Sequence, residues 1–419
     1  MRVGPWWRIG WRNVARHRRR TALTASALAV GYAAVMLMVG WMDGIIVQMV
    51  DNGTGLLTGQ LQVQDQDYLP ERSLYNTIGG RDGIDVQTIL DVLRADPGIS
   101  AATPRVYVGA LLSSGEATTA VMVMGIDDEQ ETAVARLAGS LVRGRSPRPG
   151  ANEVVIGEGI VRKLGSDLGD EIVLVAPAAD GSMGNDLFTV TGVFSTGLAL
   201  LDRAYALAPI DAVQALVALE ANRVHEIAAA IDDPWTAPEV ADRINARLTA
   251  LDLGAEVRPW TTYRPEIVDY ARLARGSFWV IILIVFGMAA FGVANTMLVA
   301  TFERRREFAL LMALGARPNG VVRSLAYEAF SLGVVSLAAG IAVAAPLMIW
   351  FHNAPPDLTS IFGGFTFAGA FLRPVLRVEY SMSTAVWSGL ALLLTSVLAG
   401  VYPALKAART PPADTLQGR

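Results

Sequence analysis

The residues that most clearly carry chemistry in this 419-residue sequence form a charge cluster directly after a long apolar stretch. Residues 276–302 contain no charged side chain. They are followed at once by Glu303, Arg304, Arg305, Arg306 and Glu307. About 20 apolar residues span a bilayer core, and arginines are retained on the cytoplasmic side. The pattern therefore predicts a membrane helix with its charged end at the cytoplasmic surface.

The segment after this cluster has the spacing of a short amphipathic helix. Phe308, Leu311 and Met312 fall on one helical face, Gly315 supplies a C-terminal stop, and Pro318 blocks continuation. From the pattern alone, two interpretations stay open. The helix is either an interfacial linker on the membrane surface or a helix that docks into a groove of a cytoplasmic partner.

Motifs for nucleotide, metal or nucleophilic chemistry are not evident. Neither of the two lysines, Lys163 and Lys406, follows a glycine, whereas a phosphate-binding loop needs a Gly-Lys pair. Cysteine is absent and the three histidines are scattered, which argues against a metal cluster. We therefore predict that the chain is not an enzyme and binds no cofactor or metal itself.

Composition and charge distribution predict a protein that is partly embedded in a membrane. Hydrophobic residues make up 52% and charged residues only 18%. Residues 1–20 carry seven arginines and no acid, next to the uncharged run 21–42. That basic start favours positive-inside anchoring over nucleic-acid binding, and the run is too long for a signal peptide. Ala25, Ala29 and Ala33 either allow close helix packing in the run or face lipid.

The resulting prediction is a four-span membrane protein with both termini cytoplasmic. The segments predicted to lie inside carry 15 basic residues, against two in the short outer loop. The predicted segments are, in order, a cytoplasmic amphipathic helix (1–20), membrane helix 1 (21–43), an extracytoplasmic domain (44–276), membrane helix 2 (277–302), a cytoplasmic helix and loop (303–322), membrane helix 3 (323–351), an extracytoplasmic loop (352–379), membrane helix 4 (380–405) and a cytoplasmic tail (406–419).

Residues 44–276 are polar and acidic, with 18 basic and 32 acidic side chains, and are long enough for one or two globular domains. Strands and helices alternate there without a long repeat, which predicts an α+β or α/β domain. The predicted strands are 60–64, 105–112, 120–125, 153–156, 171–175, 188–194 and 204–207. The predicted helices are 86–94, 133–141, 211–219 and 238–251.

Two polar residues lie in apolar surroundings. Asn295 precedes Glu303 by about two helical turns, and we expect it to form an interhelical hydrogen bond, with a part in gating as the alternative. Glu328 opens the third span, where it can reach water or Arg323. We expect an interfacial ion pair rather than a proton relay, because an isolated carboxylate makes a poor relay.

Three of these features together resemble the signature of the FtsX/MacB-type permeases of ABC transporters: Asn295, the charge cluster 303–307, and the sequence Ala313-Leu314-Gly315-Ala316. In that family the segment is the coupling helix that sits on the ATPase, so the resemblance favours the docking interpretation. The coupling residues that it implies are Glu303, Arg304, Arg305, Arg306, Glu307, Phe308, Leu311, Met312 and Gly315.

The outer region is similar to that of lipoprotein-releasing LolC/LolE-type permeases at residues 59–63, 154–157 and 188–197. The resemblance implies four transmembrane α-helices with a large extracytoplasmic α+β domain, built from Porter and Sabre parts, inserted between the first and second. It also implies a location in the bacterial inner membrane.

The function implied is that of a permease subunit in a MacB/Lol-type ABC transporter. Two copies of a separate ATPase would bind ATP and Mg, and a second permease chain would complete a homo- or heterodimer. ATP-driven motion would pass to the outer domain and release a lipoprotein from the membrane, with membrane lipid as a further partner. The alternatives are a tripartite efflux permease for peptides or macrolides, and an FtsX-like regulator of a cell-wall hydrolase. The large outer domain argues against the regulator.

One departure from the LolC pattern concerns cargo. In LolC-type permeases, a projecting hook before the 188–194 strand recruits a lipoprotein chaperone. The corresponding segment includes Asp180, Gly181, Ser182, Met183 and Gly184. It is short and glycine-rich, so it is either a solvent-exposed β-turn or a hook. We hypothesise that this chain is not the chaperone-recruiting subunit.

Overall fold

The computed structural model describes residues 18–69, 73–80, 85–362, 365–367, 370–372 and 374–409. Its α-helices are α1 (Arg18–Thr54), α2 (Val86–Arg94), α3 (Asp128–Val134), α4 (Glu158–Leu164), α5 (Leu201–Ala204), α6 (Ile210–Leu216), α7 (Ala237–Ala250), α8 (Trp260–Tyr263), α9 (Pro265–Glu303), α10 (Arg305–Ala313), α11 (Pro318–Asn353), α12 (Thr359–Phe362) and α13 (Met382–Ala408).

The strands are β1 (Leu61–Asp65), β2 (Ile99–Ser114), β3 (Ala117–Ile126), β4 (Leu141–Gly144), β5 (Glu153–Gly157), β6 (Glu171–Pro177), β7 (Met183–Phe194), β8 (Tyr205–Pro209), β9 (Glu226–Ile231), β10 (Ala255–Pro259), β11 (Phe365–Phe367) and β12 (Ala370–Leu372). The chain divides into two compact units. We call Met1–Val47, Asp269–Phe365 and Arg373–Arg419 the bundle unit, and Gln48–Val268 with Thr366–Leu372 the sheet unit.

The sheet unit contains a ten-stranded mixed sheet in the order β10-β1-β9-β2-β3-β8-β5-β7-β4, with β6 pairing with β2 and β7. The β3–β8 and β5–β7 pairs are parallel, and the other pairs are antiparallel. The long strand β2 pairs with β9 through its first half and with β6 near its end. Helices and strands therefore mix in one α+β unit.

Most local predictions for this unit are confirmed, because alternating apolar residues marked the strands. All seven predicted strands lie within or overlap β1, β2, β3, β5, β6, β7 and β8, and the helix at 86–94 matches α2. The predicted helix 133–141 is wrong. The chain leaves helical geometry at Ala135 (φ −137°, ψ 146°) and enters β4 at Leu141. Leu137 and Ala138 are buried in a short 3₁₀ turn, which imitated helical spacing.

Among the described residues, four helices are long and apolar enough to cross a membrane: Thr21–Thr54, Pro265–Glu303, Pro318–Asn353 and Met382–Ala408. All four extend past the predicted spans, the fourth by only three residues at its C-terminal end. The first continues beyond residue 43, because no proline or glycine pair interrupts it there, and the second and third begin at prolines, which suit the first helical position. The predicted helix 1–20 lies outside the described residues except for its last three, and so does the tail after Arg409.

Small residues bring the helices of the bundle unit close together. Ala25, Ala29 and Ala33 are all buried, which confirms the packing alternative. A methyl group on Gly340 of α11 would lie only 2.9 Å from the Tyr32 ring of α1. Between α11 and α13, the hydroxyl of Ser396 donates to the carbonyl of Ala329 at 2.7 Å. Small side chains and interhelical hydrogen bonds of this kind hold helices together in lipid.

Candidate functional site

The charge cluster lies at the joint between α9 and α10. α9 ends at Glu303, and Arg304 has non-helical angles (φ −100°, ψ 14°) before α10 begins. The Arg304 guanidinium donates from Nη1 to Glu328 Oε2 at 2.9 Å, and from Nε to Glu307 Oε2 at 3.1 Å. A planar fork of donors suits two carboxylates at once. The joint is thus tied to α11, which carries Glu328.

Glu328 forms the expected ion pair, but with a partner other than Arg323. Arg323 is exposed and precedes Glu328 by five residues on the same helix, which puts the two side chains about 140° apart around the axis. Arg304 comes from the preceding helix and is only 14% exposed, against 12% for Glu328. The spacing of residues within one helix could not predict the pair of Arg304 and Glu328, because Arg304 lies at the start of α10 and Glu328 lies on α11.

The face of α10 that carries Phe308 is turned into the bundle. Phe308 is 3% exposed and Ala309 is fully buried. The Arg304 guanidinium sits 5.0 Å from the Phe308 ring centroid, which adds a cation–π contact. Met312 packs against the same core cluster. The prediction that Phe308 and Met312 share a free docking face with Leu311 is therefore wrong.

The exposed apolar surface of α10 consists of three leucines. Leu310, Leu311 and Leu314 are 53%, 42% and 78% exposed. Leu310 and Leu314 lie one turn apart, and Leu311 lies beside them. Leu310 and Leu314 were missed, although their own i, i+4 spacing in the sequence was a usable signal. Arg305, Arg306 and Glu307 in the first turn of α10 are also exposed.

Hydrogen bonds past its last residue end α10 sharply. The Gly315 amide donates to the Met312 carbonyl and the Ala316 amide to the Leu311 carbonyl, both at 3.0 Å. This is the Schellman arrangement, which needs a left-handed residue after the cap. Gly315 supplies it with φ +95°. The predicted stop is confirmed, and Pro318 is the first residue of α11.

Asn295 lies on the face of α9 that points away from the other helices of the bundle unit. Its side chain is exposed, whereas Val293 and Met297 on the same helix are buried in the bundle. At this level the hydrogen bond between α1 and α9 joins the hydroxyls of Thr24 and Thr296 at 3.3 Å. Sequence reasoning singled out the amide and missed this threonine pair, because threonines are common in apolar helices.

The segment proposed as a hook is the turn of a β-hairpin. β6 and β7 pair as far as Pro177 and Met183, which leaves a five-residue turn between them. The Ala178 amide donates to the Ser182 carbonyl at 2.9 Å, and the Ser182 hydroxyl donates to Asp180 at 2.6 Å. This geometry is that of a short turn, and whether the turn recruits a chaperone stays a prediction. Met183, which is 64% exposed, is the largest apolar side chain next to it.

A buried charge cluster in the sheet unit was not predicted. Arg105 donates to both oxygens of Glu131 at 2.6 and 2.8 Å, and from Nη1 to Glu226 at 3.1 Å. Gln64 Nε2 also donates to Glu226, at 3.0 Å. Burial raises the pKa of Glu226, and the Arg105 guanidinium opposes that rise. These residues lie on separate elements, so no sequence spacing connects them.

His225 lies beside this cluster as a neutral side chain. It is 1% exposed, its Nδ1 accepts from the Tyr107 amide at 3.0 Å, and Nε2 lies 3.2 Å from the Leu74 carbonyl. Burial lowers the pKa of His225 to about 4. Within residues 18–69, 73–80, 85–362 and the later described segments, no group of three His, Cys, Asp or Glu side chains is placed to hold a metal.

Two sequence families match the chain. The MacB-like periplasmic core domain matches residues 21–247, which is more than half of the chain, and the FtsX-like permease C-terminal domain matches residues 279–412. The two matched regions together contain three of the four apolar helices in full, the larger part of α9, and every strand of the ten-stranded sheet except β10.

Curated relatives of similar length carry lipoprotein-releasing names. The lipoprotein-releasing system transmembrane protein LolC of Xylella fastidiosa is 25% identical over 85% of this chain and 87% of its own length. LolC of Neisseria meningitidis is 23% identical over 95% and 94%. The macrolide export ATP-binding/permease protein MacB 1/2 of Paracoccus denitrificans is 26% identical over 98% of this chain but 58% of its own length.

Solved structures of related outer regions show a weaker likeness. The periplasmic region of MacB from Actinobacillus actinomycetemcomitans matches 51% of this chain and 94% of its own, with a TM-score of 0.36 and 16% identity. The extracellular domain of the transporter YknZ from Gram-positive bacteria matches 48% and 99%, with a TM-score of 0.33 and 14% identity.

The fold and the family matches define a class, the permease subunits of ABC transporters. Within that class, the chain belongs to the MacB-like family with an FtsX-like C-terminal domain. Such permeases are generally non-catalytic, and a separate ATPase hydrolyses the ATP. Membership implies an ATPase partner and a second permease chain, and places the protein in the inner membrane.

Proposed function

We propose that this chain couples ATP hydrolysis by a separate ATPase to motion of the sheet unit, and that its cargo is a lipoprotein released from the inner membrane. The observation that carries the coupling proposal is α10. Leu310, Leu311 and Leu314 are exposed on one side of it, while Phe308 and Arg304 fix its other side in the bundle. A rigid apolar surface on a short helix with a charged first turn suits a helix-in-groove interface.

In this mechanism, closure of two ATPase copies presses on the three leucines of α10. Phe308 transmits the push to the bundle core, and the ion pair from Arg304 to Glu328 transmits it to α11. The four spans tilt together, because small-residue contacts leave little room for independent movement. ATP and Mg stay on the ATPase, and no substrate crosses this chain.

Topology and assembly follow from the same proposal. Both termini and α10 lie in the cytoplasm, and the sheet unit lies outside, divided into a Porter and a Sabre part. Asn295 faces away from the chain's own core, so its amide is available to the second permease chain or to gating at that interface. A hydrogen bond to a partner helix would satisfy a polar group that lipid cannot.

Support for a lipoprotein cargo comes from the relatives named LolC, which match this chain along 87–94% of their own length. The hairpin turn at Asp180–Gly184 offers little area for a chaperone, since its residues are small or polar apart from Met183. The chain therefore acts beside a hook-bearing partner or without a chaperone. Macrolide or peptide efflux remains the second candidate, favoured by the MacB match over 98% of this chain.

The coupling proposal is tested by Leu311→Asp with Leu314→Asp. A carboxylate pressed into an apolar groove is strongly disfavoured, so we expect loss of ATPase co-purification and of ATP-driven lipoprotein release from proteoliposomes. Leu251→Asp is the matched control, because Leu251 is 55% exposed in the sheet unit. Normal release by the double variant would contradict docking through this surface. Phe308→Asp is expected to unfold the bundle instead.

The cargo proposal is tested in the same proteoliposomes by replacing the five turn residues, 178–182, with an Asn-Gly turn that joins the paired residues Pro177 and Met183. Lipoprotein release should continue unchanged, because Asn-Gly closes a hairpin as well as the native turn does. Loss of chaperone capture with ATPase activity retained would show that the turn is a hook. ATP-driven macrolide export without lipoprotein release would favour the efflux alternative.

A further inference from the structure

A cavity of about 550 Å³ lies among the ends of α9, α10 and α13 in the bundle unit. Its volume falls within the range of ligand sites in proteins. The residues used below are Thr301, Phe302, Arg305, Tyr402, Lys406 and Arg409, which all line it. The cavity adjoins the inward face of α10, since Phe308 forms part of its wall, whereas the exposed leucines of α10 do not line it.

The charge of this cavity is one-sided. The described residues that line it include three cations, Arg305, Lys406 and Arg409, and no carboxylate. Lys406 and Arg409 lie at the C-terminus of α13, where the helix dipole favours cations anyway. Arg305 does not have that explanation, because it is the first residue of α10 and the N-terminal dipole disfavours it. Three cations and a helix N-terminus that line the same cavity favour an anionic occupant.

The remainder of the cavity wall is apolar, which distinguishes the occupant from a free anion. Phe302, Tyr402 and Leu405 are 51%, 64% and 44% exposed, and they lie at the ends of two candidate membrane spans. Lys406 Nζ lies 4.8 Å from the Phe302 ring centroid, so its charge lies where the cationic part of the cavity wall meets the apolar part. Inorganic phosphate would use only the cations and leave this apolar wall uncovered.

We propose that this cavity binds an anionic phospholipid. Its phosphate would lie at Arg305, Lys406 and Arg409, and the part of its acyl chains next to the headgroup would lie along Phe302 and Tyr402. Basic pockets between membrane helices on the cytoplasmic side suit acidic headgroups. The hydroxyl of Thr301 lies on the same wall and already donates to the Met297 carbonyl at 2.7 Å. With its proton used in that bond, the Thr301 hydroxyl cannot donate to a phosphate oxygen. The guanidinium and ammonium groups would therefore supply all the hydrogen bonds to the phosphate.

A lipid in this position would join α13 to the start of α10. Arg305 and Lys406 both line the cavity and belong to different helices, and a bound phosphate would bridge them. Resting on the proposed function, coupling would then depend on anionic lipid in that leaflet. Lipid binding itself requires no ATPase, so it can be measured on the permease chain alone.

The test uses the purified full-length chain in detergent, with phosphatidylglycerol or phosphatidylethanolamine added and retention measured by native mass spectrometry. We expect preferential retention of phosphatidylglycerol, and a roughly tenfold or greater loss of affinity in Lys406→Gln with Arg409→Gln. The matched control is Arg162→Gln with Lys163→Gln, the same change of charge at exposed sites in the sheet unit. It should bind normally, as should the charge-keeping swap Lys406→Arg with Arg409→Lys.

Several results would overturn the proposal. Equal retention of the two lipids by the unaltered chain would remove the headgroup preference. Unchanged phosphatidylglycerol binding in the double variant would place the lipid elsewhere. Displacement of the lipid by inorganic phosphate at millimolar concentration would make the cavity a free-phosphate site. If the double variant binds lipid normally and loses only ATPase co-purification, the cations serve the ATPase interface. Because lipid binding is measured without ATPase, the first three results do not depend on the coupling proposal.

Discussion

Among the described residues, each unit contains an arginine that pairs with two carboxylates, and these two clusters differ in their access to water. In the sheet unit, the side chains of Arg105 and Glu131 are fully buried and the second carboxylate is 4% exposed. In the bundle unit, Arg304 and Glu328 are 14% and 12% exposed and the second carboxylate is 59% exposed. Similar chemistry therefore serves two different purposes.

The two clusters differ in how much free energy the removal of their charges from water costs, and in how that cost is offset. Removing charges from water costs several kcal/mol per ion, and only complete hydrogen bonding offsets it. The sheet cluster meets that demand, with both oxygens of Glu131 and of Glu226 accepting hydrogen bonds. The joint at Arg304 is partly hydrated, so its ion pairs exchange with water at little cost. A rigid cluster suits a structural core, and a hydrated one suits a joint that moves.

The largest expected effect tests the sheet cluster through Arg105→Met. Without the guanidinium, two buried carboxylates remain unpaired, and breaking a buried pair costs roughly 3–5 kcal/mol. We expect rapid proteolysis within residues 48–268 and a much lower unfolding temperature of the full-length chain, measured by circular dichroism in detergent.

The control for that change is Arg143→Met, because Arg143 and Asp167 form an exposed pair, 46% and 59% exposed. It should cost less than about 1 kcal/mol. Adding Glu131→Gln and Glu226→Gln to Arg105→Met should recover part of the loss, since no charge is then left unpaired. If Arg105→Met and Arg143→Met lower stability equally, burial does not distinguish the two clusters.

The second prediction concerns pH and His225. Its pKa is about 4 when folded and 6.5 in the reference state, so the unfolded chain binds more protons between these values. Stability of the sheet unit should therefore fall as pH is lowered from about 6.5 to about 4, by up to about 3 kcal/mol. Unfolding of the wild type and of His225→Gln at several pH values measures this contribution.

Glu226 works in the opposite direction over part of this window. Its raised pKa makes the folded state bind a proton earlier, which favours folding as pH falls toward the ordinary range of a carboxyl. The His225→Gln variant separates the two, because it should flatten the loss of stability between pH 6.5 and 4 while keeping the Glu226 contribution. An unchanged slope in the variant would mean that His225 is hydrated in the folded protein.

Sequence reasoning recovered the features that local patterns encode. An uncharged run of 27 residues marked the span that α9 contains, period-two alternation marked the strands, and the Leu-Gly-Ala stop marked the end of α10. Each depends on residues that are close in the chain, where helical or strand periodicity is direct evidence. The same patterns carried the family resemblance.

Local sequence patterns could not predict contacts between residues that lie on different helices and strands. Arg105 and Glu226 are 121 residues apart, and Arg105 in a predicted strand looked like any charged residue on a solvated face. On α10, periodicity grouped Phe308 with Leu311 but could not say which side faced the bundle. That orientation depends on contacts with other helices: Phe308 packs in the bundle core, and Arg304 contacts both the Phe308 ring and Glu328 of α11.

The smallest effect concerns the joint itself. A double-mutant cycle on Arg304→Gln and Glu328→Gln should give a coupling free energy of about 1 kcal/mol, because the pair is partly buried but still reaches water. Hydrogen exchange of the α10 amides is the suitable measurement, since it reports local opening rather than unfolding of the whole chain. Arg323→Gln, at the partner that spacing had suggested, should leave α10 exchange unchanged.

The exposed pair of Asp269 and Arg272 on α9 calibrates this cycle. Its side chains are 70% and 75% exposed at 2.9 Å, so its own coupling should stay below about 0.5 kcal/mol. A value near zero for Arg304 and Glu328 would mean that α10 is held by Phe308 alone. A value above about 3 kcal/mol would make the joint as desolvated as the Arg105 cluster. An ion pair of that strength would not open to water in each ATPase cycle. Movement of α10 would then have to reach the bundle through the packing of Phe308.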